Sequence, residues 1–171
     1  MNDFIIENAR PEDAAAILDY LKIVGGETDN LNMGAEGIPI AVEAEEAFLR
    51  SMLDSSDDVM YAAKADGEII GIANVSRLKR RMSHRASIGI SVRQCAWHSG
   101  VGTALMEALL AFARKNGIEQ LELEVRSDNG RAIRLYERFG FMRIGTIPAF
   151  LKVNGEDFAS DYMVLPLKSN A

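Results

Sequence analysis

A glycine-rich turn is the part of this sequence whose residues most directly indicate chemistry. The segment from Ser91 to Phe112 begins as an apolar, strand-like run, passes through WHSGVGT at residues 97–103, and continues as a helix-forming stretch. Such a turn exposes the first backbone N–H groups of the helix, and the helix dipole adds partial positive charge there. The arrangement predicts a phosphate site, and therefore a phosphorylated ligand.

Two familiar phosphate-binding patterns fit this turn poorly. The dinucleotide fingerprint of nicotinamide oxidoreductases needs a third glycine where this sequence has Leu105, and residues 93–99 separate the strand from the turn. Glu122 and Glu124 lie at about the right distance for the acidic residue of that fingerprint, but their alternation with leucines favours solvent-facing strand positions. An ATP-type P-loop is excluded because no Lys-Ser or Lys-Thr follows the glycines.

A second motif follows one strand later, in VRSDNGRAIRLYERFGF at residues 125–141. Asn129 opens a helix there, Tyr136 follows seven residues on, and the segment ends in Gly-Phe at the start of a strand. Together with the glycine turn, this motif strongly resembles the GNAT superfamily of acetyl-CoA-dependent N-acetyltransferases. In that family a (Q/R)xxGxG pattern binds pyrophosphate, and an N…A…LY…GF pattern follows one strand later.

The resemblance covers residues 61–147 well and the remaining chain by the order of its elements. One position departs from the family pattern, because Trp97 stands where Gln or Arg is usual. A Trp at this position, and the early ETD at residues 27–29, are similar to the branch that contains ribosomal-protein N-acetyltransferases. The phosphate contacts of the family are mostly backbone N–H groups, which this departure leaves in place.

The resemblance implies a role for each matching position. The coenzyme A pyrophosphate would be bound beside Trp97 by the N–H groups of His98, Ser99, Gly100, Val101, Gly102 and Thr103, with the Thr103 hydroxyl as a further donor. Ile90 and Val92 would pair their main chain with the pantetheine arm. Asn129 would contact the same arm, although it is equally suited to be a helix N-cap. Tyr136 would face the thioester sulfur, where a purely structural role would make it a core aromatic.

The residue that accepts the proton of the amine is less clearly marked. Many relatives place a Glu on the strand before the glycine turn, but residues 85–92 contain no carboxylate. His84 is the nearest candidate base, and a structural histidine in a hairpin is the alternative. Glu27 and Asp29 are candidates for binding the acceptor amine. Nothing near Cys95 in the sequence indicates an activated thiol, which favours direct transfer without a covalent enzyme intermediate.

These residues predict an acyltransferase that passes acetyl from acetyl-CoA to a primary amine in a ternary complex. The acceptor stays open, with a protein N-terminus, a lysine, a polyamine, an antibiotic and a small metabolite as alternatives. A second hypothesis is a non-catalytic acyl-CoA-binding sensor or interaction module with a GNAT-like fold. Retention of Tyr136 argues against it, because a pure binding module has no need of a leaving-group donor.

The elements that position the motifs predict an α/β (α+β) fold, with a GNAT-like, central mixed, mostly antiparallel sheet of about seven strands flanked by about four helices. Gly25-Gly26 is expected to end the first helix. The second helix, residues 42–54, is expected to bury Phe48 among its apolar positions. Asp66-Gly67 predicts a tight hairpin. The last two strands are expected at 141–147 and 161–167, on either side of a loop around Pro148.

Composition limits the remaining possibilities. The 171 residues, 48% apolar and 26% charged, predict one domain over residues 1–171, and the net charge of −6 argues against nucleic-acid binding. The basic segment 77–85 is interpreted as a solvated hairpin tip. The single cysteine, Cys95, excludes an intramolecular disulfide and any multi-Cys zinc site, and no metal is expected. Without a signal segment or a long apolar run, we expect a cytoplasmic protein that binds no membrane, and exposed sheet edges make a homodimer plausible.

Overall fold

One seven-stranded sheet organises the computed structural model, which describes residues 3–167. The strands are β1 (Ile5–Asn8), β2 (Asp58–Ala65), β3 (Glu68–Arg77), β4 (Arg85–Val92), β5 (Gln120–Arg126), β6 (Met142–Val153) and β7 (Glu156–Pro166). The helices are α1 (Ala14–Glu27), α2 (Val42–Leu53), α3 (Val101–Lys115) and α4 (Gly130–Arg138). The spatial order is β1-β2-β3-β4-β5-β7-β6, and only the β4–β5 pair is parallel. The predicted mixed, mostly antiparallel sheet is confirmed.

The parallel pair β4 and β5 is incomplete. The two strands pair at Arg85 with Gln120, at Ala86 with Leu121 and at Ser87 with Glu122, and no pairing joins residues 88–92 to residues 123–126. The strands therefore separate toward their carboxyl ends. A gap opens in the middle of the sheet, at the end from which the glycine turn leaves β4.

Backbone groups of β4 line this gap. The N–H of Arg93, just after β4, donates to the carbonyl of Ile70 in β3 at 2.9 Å, so the backbone groups of the odd-numbered residues of β4 face β3. Successive residues of a strand direct their N–H and C=O groups to opposite edges. Ile90 and Val92 therefore face the gap with backbone groups that have no strand partner.

Glu122 stands at the point where the strands separate, and its environment differs from the solvent-facing position expected for it. Its side chain is buried and accepts two hydrogen bonds from Arg85, at 2.8 Å from Nε and 2.9 Å from Nη2. Burial alone would raise the pKa of Glu122, but these hydrogen bonds lower it. The sequence alternation gave no sign of this pair because Arg85 comes from the neighbouring parallel strand.

Helix α3 fixes the glycine turn to the core. Val101, Leu105 and Leu109 are fully buried on one face of the helix, as their spacing predicts, and they pack in the core cluster that contains Val75 and Leu121. The first turn of α3 is thus held rigidly at the end of the sheet where the gap opens.

No helix among residues 3–167 is long and apolar enough to cross a membrane.

Helix α1 does not end at its two glycines. It continues through Gly25 and Gly26 to Glu27. A Cβ atom at Gly25 would lie far inside contact distance of the Gly34 carbonyl oxygen, whereas one at Gly26 would lie 3.4 Å from the Ala35 Cβ, an ordinary contact. Gly25 is therefore required because the loop after α1 packs directly on the helix backbone.

Two further expectations are corrected. Phe48 is 45% exposed, and the buried apolar positions of α2 are Leu49 and Met52. Strand β6 continues through Pro148 to Val153, so the turn at Asn154-Gly155 joins two long strands directly. Pro148 is tolerated because β6 is the edge strand and its pairing with β7 is interrupted between residues 147 and 151. The Asp66-Gly67 hairpin is confirmed, with φ angles of 51° and 82°.

We predict that Gly25→Ala and Gly26→Ala change the free energy of unfolding in opposite directions. Alanine at position 25 collides with the Gly34 backbone, and such overpacking costs about 1–3 kcal/mol. Alanine at position 26 meets no close contact and gains about 0.5–1 kcal/mol from helix propensity. Urea denaturation of both variants measures the difference, and equal effects would contradict the proposed close packing of the loop.

Candidate active site

Two cavities meet at the gap between β4 and β5. The loop cavity, of about 410 Å³, is bordered by the glycine turn, α4 and the end of α1. The sheet cavity, of about 420 Å³, is bordered by α1, α2, β4, β5 and the β6–β7 hairpin. Both are lined by Asn30, Leu31, Ile90, Ser91, Asn129, Ala132 and Tyr136. The two cavities therefore lie side by side at these residues.

The glycine turn presents a row of free backbone donors to the loop cavity. Among the described residues, no backbone acceptor is found for the N–H groups of residues 98–103. His98 and Gly100 have φ angles of 62° and 90°, and this left-handed geometry directs successive N–H groups to one side. Ser99 differs from its neighbours because it does not line the cavity and its hydroxyl donates to the Ala96 carbonyl at 2.6 Å. The turn therefore has the geometry of an anion-binding cradle at the N-terminus of α3.

Trp97 holds the cradle to β4. Its indole Nε1–H donates to the carbonyl of Val92 at 3.0 Å, so of the two backbone groups of Val92 only the N–H is left for a ligand. The guanidinium carbon of Arg131 lies 3.3 Å from the Trp97 ring centroid, a cation–π contact. Trp97, the residue that departs from the family pattern, therefore occupies the Val92 carbonyl at the end of β4 and holds the Arg131 guanidinium beside the glycine turn.

Helix α4 adds two cations that sequence reasoning missed. Arg131 and Arg138 both line the loop cavity, and Arg138 donates to the Thr103 hydroxyl at 3.3 Å. Their spacing of seven residues puts them on one helix face with Leu135 between them, which is the signal that could have revealed them. The positive charge near the cradle strengthens its affinity for phosphate groups.

Asn129 and Tyr136 lie where the cavities meet. The Asn129 side chain accepts the N–H of Ala132 at 3.2 Å, so the N-cap interpretation is confirmed, and the residue also borders both cavities. Tyr136 is 7% exposed and packs its ring against Phe141 at a centroid distance of 5.8 Å. Burial raises the pKa of Tyr136 to about 12. Its hydroxyl is therefore a neutral hydrogen-bond donor at physiological pH.

Besides Ser99, three predicted site residues are not brought to the cavities. His84 is exposed and precedes β4, at the end where β4 and β5 still pair, so roughly 13 Å of strand separates it from Ile88, the nearest β4 residue that lines a cavity. Glu27 is bound to Arg93 Nε (3.1 Å) and to the N–H of Gln94 (2.8 Å). Asp29 lines neither cavity, and its carbonyl accepts a hydrogen bond from Arg126. Within the same loop it is the following residues, Asn30 and Leu31, that form the cavity wall.

The sheet cavity is mainly apolar and contains a buried acid that sequence reasoning interpreted only as a first-turn helix residue. Glu45 is 6% exposed, its side chain has no hydrogen bond or ion pair with any residue from 3 to 167, and burial raises its pKa. The Ser160 hydroxyl, which belongs to the same cavity lining, is buried without a partner among the described residues. A largely buried carboxylate and a buried hydroxyl without protein partners are both available to a polar ligand atom in this cavity.

A family comparison defines the class of the protein. Residues 29–141 match the model of the acetyltransferase (GNAT) family. The chain belongs to this family, whose members use acetyl-CoA as co-substrate. The cradle, its flanking arginines and the open backbone of β4 fit the phosphates and the amide-bearing arm of that molecule. The predicted family and the predicted acetyl-CoA are confirmed.

Individual relatives are named N-acetyltransferases. The chain is 36% identical over 112 residues to the N-alpha-acetyltransferase RimI of Mycobacterium tuberculosis, a match that covers 65% of this chain and 68% of that protein. It is 33% identical over 100 residues to the L-amino acid N-acetyltransferase AaaT of Escherichia coli, covering 57% and 62% of the two chains. The predicted acyltransferase class is thereby confirmed.

Solved structures share the whole fold. A GNAT-family acetyltransferase from Streptococcus pneumoniae superposes with a TM-score of 0.92 at 28% identity, covering 96% of this chain and all of that one. A phosphinothricin acetyltransferase from Sinorhizobium meliloti, solved with acetyl-CoA, has a TM-score of 0.79 at 22% identity and covers 98% and 89% of the two chains. The second comparison supports the fold alone.

We predict that Arg131→Ala raises the KM for acetyl-CoA by about tenfold with little change in kcat, because one charge-assisted phosphate contact is lost. The variant should lose little affinity for acetyl-pantetheine, which lacks the nucleotide phosphates. Arg134→Ala is the matched control, since Arg134 is exposed on the same helix and lines neither cavity. Steady-state kinetics with both thioesters make the test, and equal losses for the two thioesters would contradict the assignment.

Proposed function

We propose that this protein transfers an acetyl group from acetyl-CoA to a primary amine by direct attack in a ternary complex. Acetyl-CoA occupies the loop cavity and the acceptor amine occupies the sheet cavity. The observation that carries the proposal is that Tyr136 borders both cavities, at the wall where the two substrates would meet. A sensor that only binds acyl-CoA would need no second cavity beside the thioester.

The open edge of β4 supports a defined path for the pantetheine arm. The N–H and C=O of Ile90 and the N–H of Val92 face the gap, and an amide-bearing chain can pair with them as an added strand. The pyrophosphate then falls on the cradle at residues 98–103. The acetyl carbonyl oxygen lies within reach of the Ile90 N–H, which stabilises the negative charge that develops there.

The proposed reaction has two bond changes. The amine nitrogen forms a bond to the acetyl carbon, and the resulting tetrahedral species breaks its carbon–sulfur bond. The nitrogen loses one proton, and the departing sulfur ends with one. With a pKa of about 12, Tyr136 would lose roughly 5 kcal/mol by fully protonating a thiolate of ordinary pKa. Tyr136 therefore acts by a hydrogen bond that strengthens as charge develops on sulfur.

Glu124 replaces His84 as the proposed proton acceptor. It is exposed on the separated part of β5 and lines the sheet cavity, so it can take the amine proton directly or through water and release it to solvent. The need for a base depends on the amine. Deprotonation at pH 7 costs roughly 4.6 kcal/mol for a lysine-like amine but only about 1 kcal/mol for a peptide α-amine.

We predict that Tyr136→Phe lowers kcat by about 100-fold or more and changes the KM for acetyl-CoA less than threefold, because the lost hydrogen bond matters only as sulfur gains charge. The buried ring and its contact with Phe141 are kept in this variant. Release of the CoA thiol in the presence of an amine provides the measurement. An increase in KM at constant kcat would make Tyr136 a binding residue.

For Glu124→Gln, we predict a loss of kcat/KM that depends on the basicity of the acceptor. A strongly basic alkylamine should react about 100-fold more slowly, and a peptide α-amine should be affected far less, because only the former requires a base. His84→Ala is the control and should leave both reactions unchanged, since His84 is remote from the cavities. A uniform loss for both amines would assign Glu124 to acceptor binding.

A further inference from the structure

The charges that face the sheet cavity indicate which acceptors it takes. Three charged side chains line it among residues 3–167, namely Glu45, Glu124 and Arg126. Glu124 is at the exposed end of the cavity, whereas Glu45 is 6% exposed and has no partner in the described part of the chain. A buried carboxylate without a partner strongly favours a cation beside it.

The cation in this set is already neutralised. Nε and Nη2 of Arg126 donate to the carboxylate of Asp128 at 2.7 Å and 2.9 Å, and Nη1 donates to the carbonyl of Asp29 at 3.1 Å. The guanidinium carbon also stacks on the Phe158 ring, 3.6 Å from its centroid. A bidentate carboxylate saturates the binding edge of a guanidinium, so Arg126 has little left to offer the carboxylate of a substrate.

Much of the remaining lining of the sheet cavity is apolar. Its large apolar residues come from α1, α2 and the strands, among them Ile17, Leu21, Phe48, Met60, Ile72 and Phe150. An acceptor that fills this space gains free energy from burying a hydrocarbon body. A second negative charge on the acceptor would be desolvated beside Glu45 without a cation to pair with it.

We propose that the acceptor is a primary amine with an apolar body and no carboxylate next to the amine, and that Glu45 is the buried anionic contact that binds its ammonium group. This inference rests on the proposed transfer to an amine and adds the substrate class. Glu45 binds the ammonium form first, and the nitrogen then moves to the shared wall beside Tyr136, giving its proton to Glu124 before it attacks the acetyl carbon. Amino acids are disfavoured by their carboxylate, whatever their side chain.

Matched pairs of acceptors test the substrate class. Phenethylamine and 3-methylbutylamine are compared with L-phenylalanine and L-leucine, which differ from them only by the carboxylate, and L-phenylalaninamide keeps the branch without the charge. CoA-thiol release with the wild-type protein should give a kcat/KM at least 100-fold higher for each amine than for its amino acid. The amide should resemble the amine. Comparable values for amines and amino acids would overturn the proposal.

Glu45→Gln tests the assigned contact. It should raise the KM for phenethylamine at least tenfold, leave the KM for acetyl-CoA unchanged, and reduce the preference for the amine over L-phenylalanine. Glu43→Gln, which removes the same charge from an exposed site in the first turn of the same helix, should change none of these values. An unchanged KM for phenethylamine in Glu45→Gln overturns the role of Glu45.

Stability separates recognition from a structural role for Glu45. Because the carboxylate is buried without a partner, its replacement by the neutral amide should leave the urea midpoint unchanged or higher. A large loss of stability would make Glu45 a structural residue and overturn the assignment. Transfer to amino acids alone would overturn this inference and leave the proposed function standing. Failure of every acceptor, with acetyl-CoA still bound in calorimetry, would overturn both.

Discussion

The site depends on a single constraint, which is that β4 and β5 run parallel but pair over only three residues. Continued pairing would fill the gap with hydrogen bonds and leave no place for an extended ligand. The bidentate contact between Arg85 and Glu122 lies where pairing stops. It holds the strands together at one end, so their separation at the other is a fixed part of the fold rather than fraying.

Separation of the strands supplies both substrates with binding groups. The side of β4 that faces the gap retains backbone donors and acceptors, and the first turn of α3 adds its N–H groups at the end of the same strand. The side chains on the far wall are mostly apolar and belong to α1 and α2. In the proposed function, polar backbone thus faces the long thioester, and a mainly apolar pocket that contains Glu45 faces the acceptor. Tyr136 stands between them as a neutral phenol, since burial keeps its hydroxyl protonated.

Features set by short segments could be predicted from the sequence. The glycine turn, the N-cap at Asn129 and the hairpin at Asp66-Gly67 each depend on backbone geometry within a few residues. Features that depend on distant partners could not. By pattern, Glu45 is a first-turn helix acid and Glu122 a strand acid. Only tertiary packing leaves the largely buried Glu45 side chain without a partner and makes Glu122 half of an ion pair. The role of Gly25 could not be predicted for the same reason. The glycine does not end α1 but allows the backbone of Gly34 to pack against the helix.

The contact of Glu27 with Arg93 and Gln94 has a consequence for how this fold can vary. It attaches the last turn of α1 to the segment just before the glycine turn, immediately ahead of the loop whose Asn30 and Leu31 line both cavities. This contact fixes the start of the loop relative to the glycine turn, and it does so independently of the residues that follow in the loop. Selectivity for the amine can therefore diversify through the loop, while the machinery that handles coenzyme A stays in place.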